Sequence, residues 1–263
     1  MGPDPRTRSR QLVIQMVVIG VIVSAAGIAL GLWIDWFPPQ ASTQARKIDD
    51  LYDVLIIASV PVFVLVQTVV LFSVWKFRMR PGEELKDGPP IHGNTRLEVI
   101  WTAVPAILIV ALVSYAYAVL RDIEDKPAKE IKVGVTGRQF TWFFTYPPEL
   151  TGGKAVNADQ LYLPKGTSVQ FQIRSKDVIH DFWVPAFRLK IDAVPGITTK
   201  YRVTPSRIGV YPGVCAELCG AGHSTMRIPV HVVAPGVFDN WLKRQVAAAN
   251  GSSSQASTSG GTS

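Results

Sequence analysis

The residues best equipped for chemistry crowd into one short run. Residues 215–226, CAELCGAGHSTM, hold Cys215, Cys219, His223 and Met226, and His180 stands upstream in DVIHDFWVP. Two thiolates, two imidazoles and a thioether form a soft donor set. Thiolate and thioether select copper or iron–sulfur chemistry, and imidazole suits copper and zinc. Three plainer readings compete. The cysteines could form a disulfide in an oxidising compartment. They could join His180 and His223 around zinc. Or Met226 and the histidines could be core residues, as His92 and His231 are read to be. Neither zinc nor a disulfide accounts for a methionine three residues beyond the second histidine. Single-copper blue sites use one Cys, two His and a weak Met. A second Cys on the same loop lets both sulfurs bridge two coppers, and copper is the reading the spacing favours.

Such a cluster needs a rigid frame, and the surrounding sequence is β-prone. IKVGVTG (131–137), FTWFFTY (140–146), SVQFQIR (168–174), TKYRVT (199–204), RIGVY (207–211) and IPVHVV (228–233) are short runs separated by turn residues. Strands at this spacing predict a sandwich or barrel. Residues 235–248 read as a terminal helix opened by Pro235, and residues 250–263 as a disordered Gly/Ser/Thr tail.

Upstream the texture differs. Residues 11–34, 54–75 and 99–120 carry no charge, and each exceeds the roughly 20 residues that cross a bilayer as helix. Arg6, Arg8 and Arg10 precede the first stretch, and Lys76, Arg78, Arg80, Lys86 and Arg96 follow the second. The loop between the first two holds only Arg46 and Lys47, beside Asp49 and Asp50. Positive charge marks the cytoplasmic side, so everything after residue 120 is placed outside. The first stretch also fits a signal peptide with a cleavage point near Ala41; its length favours a retained helix.

Composition agrees with a membrane-anchored chain. Charged residues make 18% of the 263, hydrophobic residues 48%, and mean hydropathy is +0.21. These values argue against disorder and against an ordinary soluble enzyme. The net charge of +7 is scattered rather than clustered, so no nucleic-acid partner is expected. Two cysteines exclude a disulfide-rich scaffold.

At Cys-x-Glu-x-Cys-Gly-x-x-His-x-x-Met, with HDFWVP and LKIDAVPG (189–196) before it, the chain resembles subunit II of the haem–copper cytochrome c oxidases, over roughly residues 50–245. The resemblance implies a membrane-anchored all-β fold: transmembrane helices, two in the family and three here, then a cupredoxin-like Greek-key β-barrel. The expected divisions are 1–40 (extra helix or signal peptide), 41–125 (helical hairpin), 126–249 (extracytoplasmic copper domain) and 250–263 (tail). The family's dinuclear CuA centre carries over to these positions. Cys215 and Cys219 would bridge both coppers. His180 and Met226 would complete one, and His223 with the Glu217 carbonyl the other. The Glu217 side chain would help hold a Mg²⁺ shared with subunit I. A family Glu stands three residues before the Trp of the second conserved helix. Here it is Glu98 before Trp101, implying the mouth of a proton path.

The resemblance further implies a respiratory oxidase of the bacterial plasma membrane, pumping protons, with partners subunit I (haem and CuB), subunit III, a c-type cytochrome donor and the lipid bilayer. Alternatives are a membrane-anchored copper-handling module and the CuA subunit of a nitric oxide reductase. Two departures stand out. The family's Gly-x-Gln-Trp-x-Trp reads GRQFTW here, so Phe140 takes the place of the Trp that receives electrons. Trp142 then becomes the candidate, expected on the same strand face as Phe140. From residue 121 onward Lys and Arg number 17 against 11 Asp and Glu, a balance of +6, where the family's docking face is often acidic. The expected donor is therefore not strongly basic, or else is tethered. The chain has no Cys-x-x-Cys-His and so no fused c-type haem.

Overall fold

A computed structural model describes residues 5–79, 81–82 and 92–258. Three long helices come first: α1 (Pro5–Trp33), α2 (Thr43–Phe77) and α3 (Thr95–Ile123). The strands and short helices follow as β1 (Glu130–Arg138), β2 (Thr141–Tyr146), α4 (Pro148–Thr151), β3 (Val156–Ala158), β4 (Leu161–Pro164) and β5 (Ser168–Ser175). Then come β6 (His180–Val184), β7 (Leu189–Ala193), β8 (Thr199–Val203), β9 (Gly209–Cys215), β10 (Arg227–Val233) and α5 (Pro235–Thr258).

The helices hold the three uncharged stretches save Ile34, just past the end of α1, and all three are long and apolar enough to cross a membrane. The second and third helices open on polar capping residues outside the apolar runs. Ser42 Oγ accepts the Ala45 N–H at 3.0 Å at the start of α2, and Asn94 Oδ1 accepts the Leu97 N–H at 3.2 Å at the start of α3. Each satisfies a donor that the first helical turn leaves without a partner.

The chain divides into two compact units. One holds the described residues up to Trp36 with Asp50–Ala118; the other holds Phe37–Asp49 with the described residues from Val119 on. In the second unit the strands form two five-stranded sheets, ordered β3-β2-β1-β5-β8 and β4-β10-β9-β6-β7. Most neighbours are antiparallel, but β1 pairs with β5 and β10 with β4 in parallel. Period-two alternation supplies the core. In β2, Trp142, Phe144 and Tyr146 are buried while Thr141 and Phe143 are exposed. They meet Phe171, Phe182, Leu161 and Leu163 between the sheets. Each such side chain contributes about 1.5–3 kcal/mol by leaving water. Tyr146 keeps its hydroxyl satisfied there, donating to the Tyr162 carbonyl and accepting the Tyr162 N–H, both at 2.9 Å.

The segment before α2 is part of this unit's packing. Ala41 and Ser42 are buried. The Ala41 N–H donates to the Ala186 carbonyl at 2.9 Å, and its carbonyl accepts the Ser206 N–H at 2.8 Å. Arg188 fastens the same segment. Its guanidinium donates to both Asp49 carboxylate oxygens at 2.7 Å and to the Pro38 carbonyl at 3.1 Å, and lies 4.6 Å from the Phe37 ring.

Several elements differ from the sequence expectation. The strand expected at 207–211 runs from Gly209 to Cys215 and so delivers the first cysteine. HDFWV and LKIDA form β6 and β7, a hairpin that the neighbouring prolines disguised. Residues 250–258 continue α5 instead of joining a disordered tail, because adding a residue to an existing helix costs far less than starting one. Residues 259–263 lie outside the described residues.

Candidate metal centre

Three pieces of the β-domain deliver the donor atoms. β6 begins at His180, β9 ends at Cys215, and the loop to β10 carries Cys219, His223 and Met226. Antiparallel pairing sets Phe182 opposite Cys215, which brings the two strand ends together. The loop closes on itself: the Cys215 N–H donates to the Met226 carbonyl at 3.0 Å, and a short 3-10 turn at His223–Thr225 turns the chain back.

All five predicted side-chain donors converge. The two sulfurs lie 3.9 Å apart and the cysteines are free thiols. His180 Nδ1 is 3.9 Å from Cys215 Sγ, and His223 Nδ1 is 3.7 Å from Cys219 Sγ. Met226 Sδ is 4.0 Å from Cys219 Sγ, and the Glu217 carbonyl oxygen is 3.3 Å from Cys215 Sγ. His180, Cys215, Cys219 and Met226 are buried. Burial first, and the neighbouring Cys215 second, push the Cys219 thiol up to about 11. Cys219 is therefore protonated at neutral pH, and a metal must displace that proton to bind. The donor set, its convergence and its burial fit copper. The unbonded thiols and the methionine set against Cys219 depart from a disulfide and from a Cys₂His₂ zinc site.

A second ring of residues holds the donors in place. His180 Nε2 lies 2.8 Å from Asp177 Oδ1, which leaves Nδ1 to face the sulfurs. This is the carboxylate–imidazole arrangement that orients a metal-binding histidine. Burial opposes the Asp177 charge, but hydrogen bonds from the Gln139 N–H, His180 and the Val178 N–H prevail and hold its carboxyl down at about 2. Gln139 serves both sides: its N–H donates to Asp177 Oδ2 at 2.8 Å, and its side-chain amide donates to the Cys219 carbonyl at 2.5 Å. Two glycines admit the rings packed here. A Cβ on Gly137 would stand 2.9 Å from the His180 ring, and one on Gly222 would stand 2.5 Å from the Phe140 ring. Asp177 and Gln139 stand outside the donor set that the sequence pointed to. The signals were an Asp three residues before His180 and a Gln in the β1–β2 turn.

The expectation for the aromatic pair is corrected. Gly137 pairs with Trp142 and Arg138 with Thr141, so Gln139 and Phe140 form the two-residue hairpin turn. Strand alternation does not run through a turn. Phe140 is 38% exposed and lies on the copper loop, whereas Trp142 is 1% exposed, with its ring 5.9 Å from that of His180. Glu98 stands in the first turn of α3, where its carboxylate accepts the Asn94 N–H at 3.2 Å. Asp181, opposite Asp192 in the β6–β7 pair, is pushed up to about 6, first by burial and then by its hydrogen bond with Asp192; the Glu217 charge adds to this.

Membrane helices joined to a β-domain with a largely buried thiol–imidazole–thioether cluster define an anchored copper protein of electron transfer. Comparison with known proteins gives the family. The model for the cytochrome c oxidase subunit II periplasmic domain matches residues 151–233, and that for the subunit II transmembrane domain matches residues 28–119. Cytochrome c oxidase subunit 2 of Thermostichus vulcanus is 32% identical over 285 residues, covering 88% of this chain and 84% of that protein. The subunit 2 of Alkalihalophilus pseudofirmus is 36% identical over 205 residues, covering 73% and 58% respectively. The crystal structure of the periplasmic domain of subunit II of cytochrome oxidase of Bradyrhizobium japonicum is 28% identical, with a TM-score of 0.42, covering 45% of this chain and 95% of that one. The chain belongs to the cytochrome c oxidase subunit II family. It is an electron-carrying subunit of a haem–copper terminal oxidase, binds CuA-type copper, and is anchored in a membrane with its β-domain on the extracytoplasmic side.

Proposed function

We propose that Cys215 and Cys219 bridge two coppers, that His180 and Met226 complete one, and that His223 and the Glu217 carbonyl complete the other. The observation that carries this is the convergence of four further donors on two sulfurs 3.9 Å apart. Copper shared between two thiolates would spread one unpaired electron over both metals, so gaining or losing it changes geometry little. The chain's own residues keep that geometry fixed: Asp177 aims His180, and Gln139 pins the loop carbonyl of Cys219. The full chain, purified in detergent and offered equal copper and zinc, should take up two coppers and exclude zinc. Uptake of a single copper, or of zinc, would overturn the assignment.

Electrons from a c-type cytochrome enter across an apolar patch of Phe140, Ile179 and Leu218, all exposed beside the copper loop. Trp142, buried against His180, is the aromatic wall behind it. The domain's balance of +6 repels a strongly basic donor, so the donor is neutral or acidic, or is tethered. Oxidation rates that change little across a salt series support this. Fast oxidation of a basic cytochrome that falls steeply with salt argues against it.

Three further roles complete the reading. The Glu217 side chain, whose charge acts on Asp181, contributes to a Mg²⁺ site at the boundary with subunit I. Glu98 opens a proton path into that partner, and subunit III completes the assembly. α1 is retained in a bacterial plasma membrane, as Ala41 has both backbone groups bonded inside the β-domain and a new charged terminus there would be buried.

A further inference from the structure

α1 and α2 pack closely at their extracytoplasmic halves and part at the others. A Cβ on Gly31 would meet Ile56 at 2.8 Å, and one on Gly27 would meet Val60 at 2.9 Å, whereas one on Gly20 would meet nothing within 4 Å. Where the helices part they enclose a groove of about 580 Å³. Its walls run from Val13 to Ile28 on α1 and from Pro61 to Val69 on α2, with Ser24 and Thr68 the hydroxyl-bearing members. The α1 wall is about 22 Å long at 1.5 Å per residue, more than the roughly 15 Å depth of one leaflet's hydrocarbon. Spread over that length, the volume leaves a channel much narrower than the roughly 10–12 Å diameter of a helix. It suits a polymethylene chain.

The cytoplasmic mouth is basic. Arg10 lies one turn before Val13, Lys76 stands two turns beyond Val69 on α2, and Arg78 follows just past the end of that helix; all three are exposed and lie beyond the groove's own lining. We infer that this groove seats one acyl chain of an anionic phospholipid of the cytoplasmic leaflet, with its phosphate held by Arg10, Lys76 and Arg78. Long basic side chains reach headgroup level from a helix end, and a negative headgroup answers the charge that a zwitterionic lipid would leave in excess. The site depends on α1 being retained, and it is independent of the copper assignment.

The test uses the intact oxidase complex in detergent, incubated with phosphatidylglycerol or with phosphatidylcholine of the same acyl chains and weighed by native mass spectrometry. Wild type should hold one phosphatidylglycerol more than Gly20→Leu or Ser24→Leu, whose added atoms fill the groove. Arg10→Gln and Lys76→Gln leave the packing alone and should each weaken retention about fivefold. Equal lipid counts in wild type and the filled variants would overturn the site. So would equal retention of the two lipids, or a mature chain whose mass starts near residue 41. A photoreactive side chain at Ser24 should label lipid; labelling a helix of another subunit would replace the lipid with a protein occupant. Copper content read on the same samples shows separately whether the metal assignment fails.

Discussion

At the metal centre four of the five donor side chains are sealed off, His180 being 0% exposed and Met226 1%, and only His223 is half-buried. On the helices, Val17 is 60% exposed and Leu65 64%. The β-domain makes its own dry interior from two sheets, so its donors can be held by neighbours such as Asp177 and Gln139. The helices leave their apolar faces outward, because the bilayer and partner subunits are their solvent. Residues in the domain therefore act through fixed geometry, and residues on the helices act through what surrounds them.

Removing a bridge should have the largest effect. Cys219→Ser should lower copper from two per chain to at most one, measured by metal analysis, and stop oxidation of the donor. Two coppers in that variant would remove Cys219 from the bridge. Next is Asp177→Ala, which leaves the His180 imidazole without its orienting carboxylate. Copper affinity should fall about 10–100-fold in competition with a chelator. Unchanged affinity would mean that Gly137 and Trp142 orient the ring by packing alone.

A smaller effect is expected where the loop meets the hairpin. Gly222→Ala sets a methyl 2.5 Å from the Phe140 ring and should cost about 1–3 kcal/mol in thermal unfolding. Phe140→Ala should restore most of that loss, a coupling expected only of residues in contact. Additive losses would deny the contact. Glu98→Ala tests the other side of the comparison. It should slow turnover of the assembled oxidase while copper reduction by the donor stays at the wild-type rate. Turnover equal to wild type would leave Glu98 as a helix-capping group only.

Much of this was legible in the sequence because its signals are local. Uncharged runs longer than a bilayer gave the three helices, and CAELCGAGHSTM gave four of the five side-chain donors in one loop. The parts missed depend on contacts distant in the chain. Gln139 reaches Cys219 across 80 residues, and no spacing rule announces that. β6 and β7 are short, and Pro185 and Pro195 beside them mask the strand pattern. Alternation placed Phe140 and Trp142 on one face only by assuming that the strand continued through residues 139 and 140, where the chain instead turns. Nothing in the sequence around Ala41 announces its burial, which rests on backbone bonds to Ala186 and Ser206, far along the chain.

The central claim is that two sulfurs, held 3.9 Å apart by β9 and its loop, join two coppers into one centre. Electron paramagnetic resonance of the copper-loaded full chain, half-reduced, tests it most directly. The account predicts one unpaired electron with hyperfine splitting from two equivalent coppers, lost in Cys219→Ser. A pattern split by a single copper nucleus in the wild-type chain would contradict it.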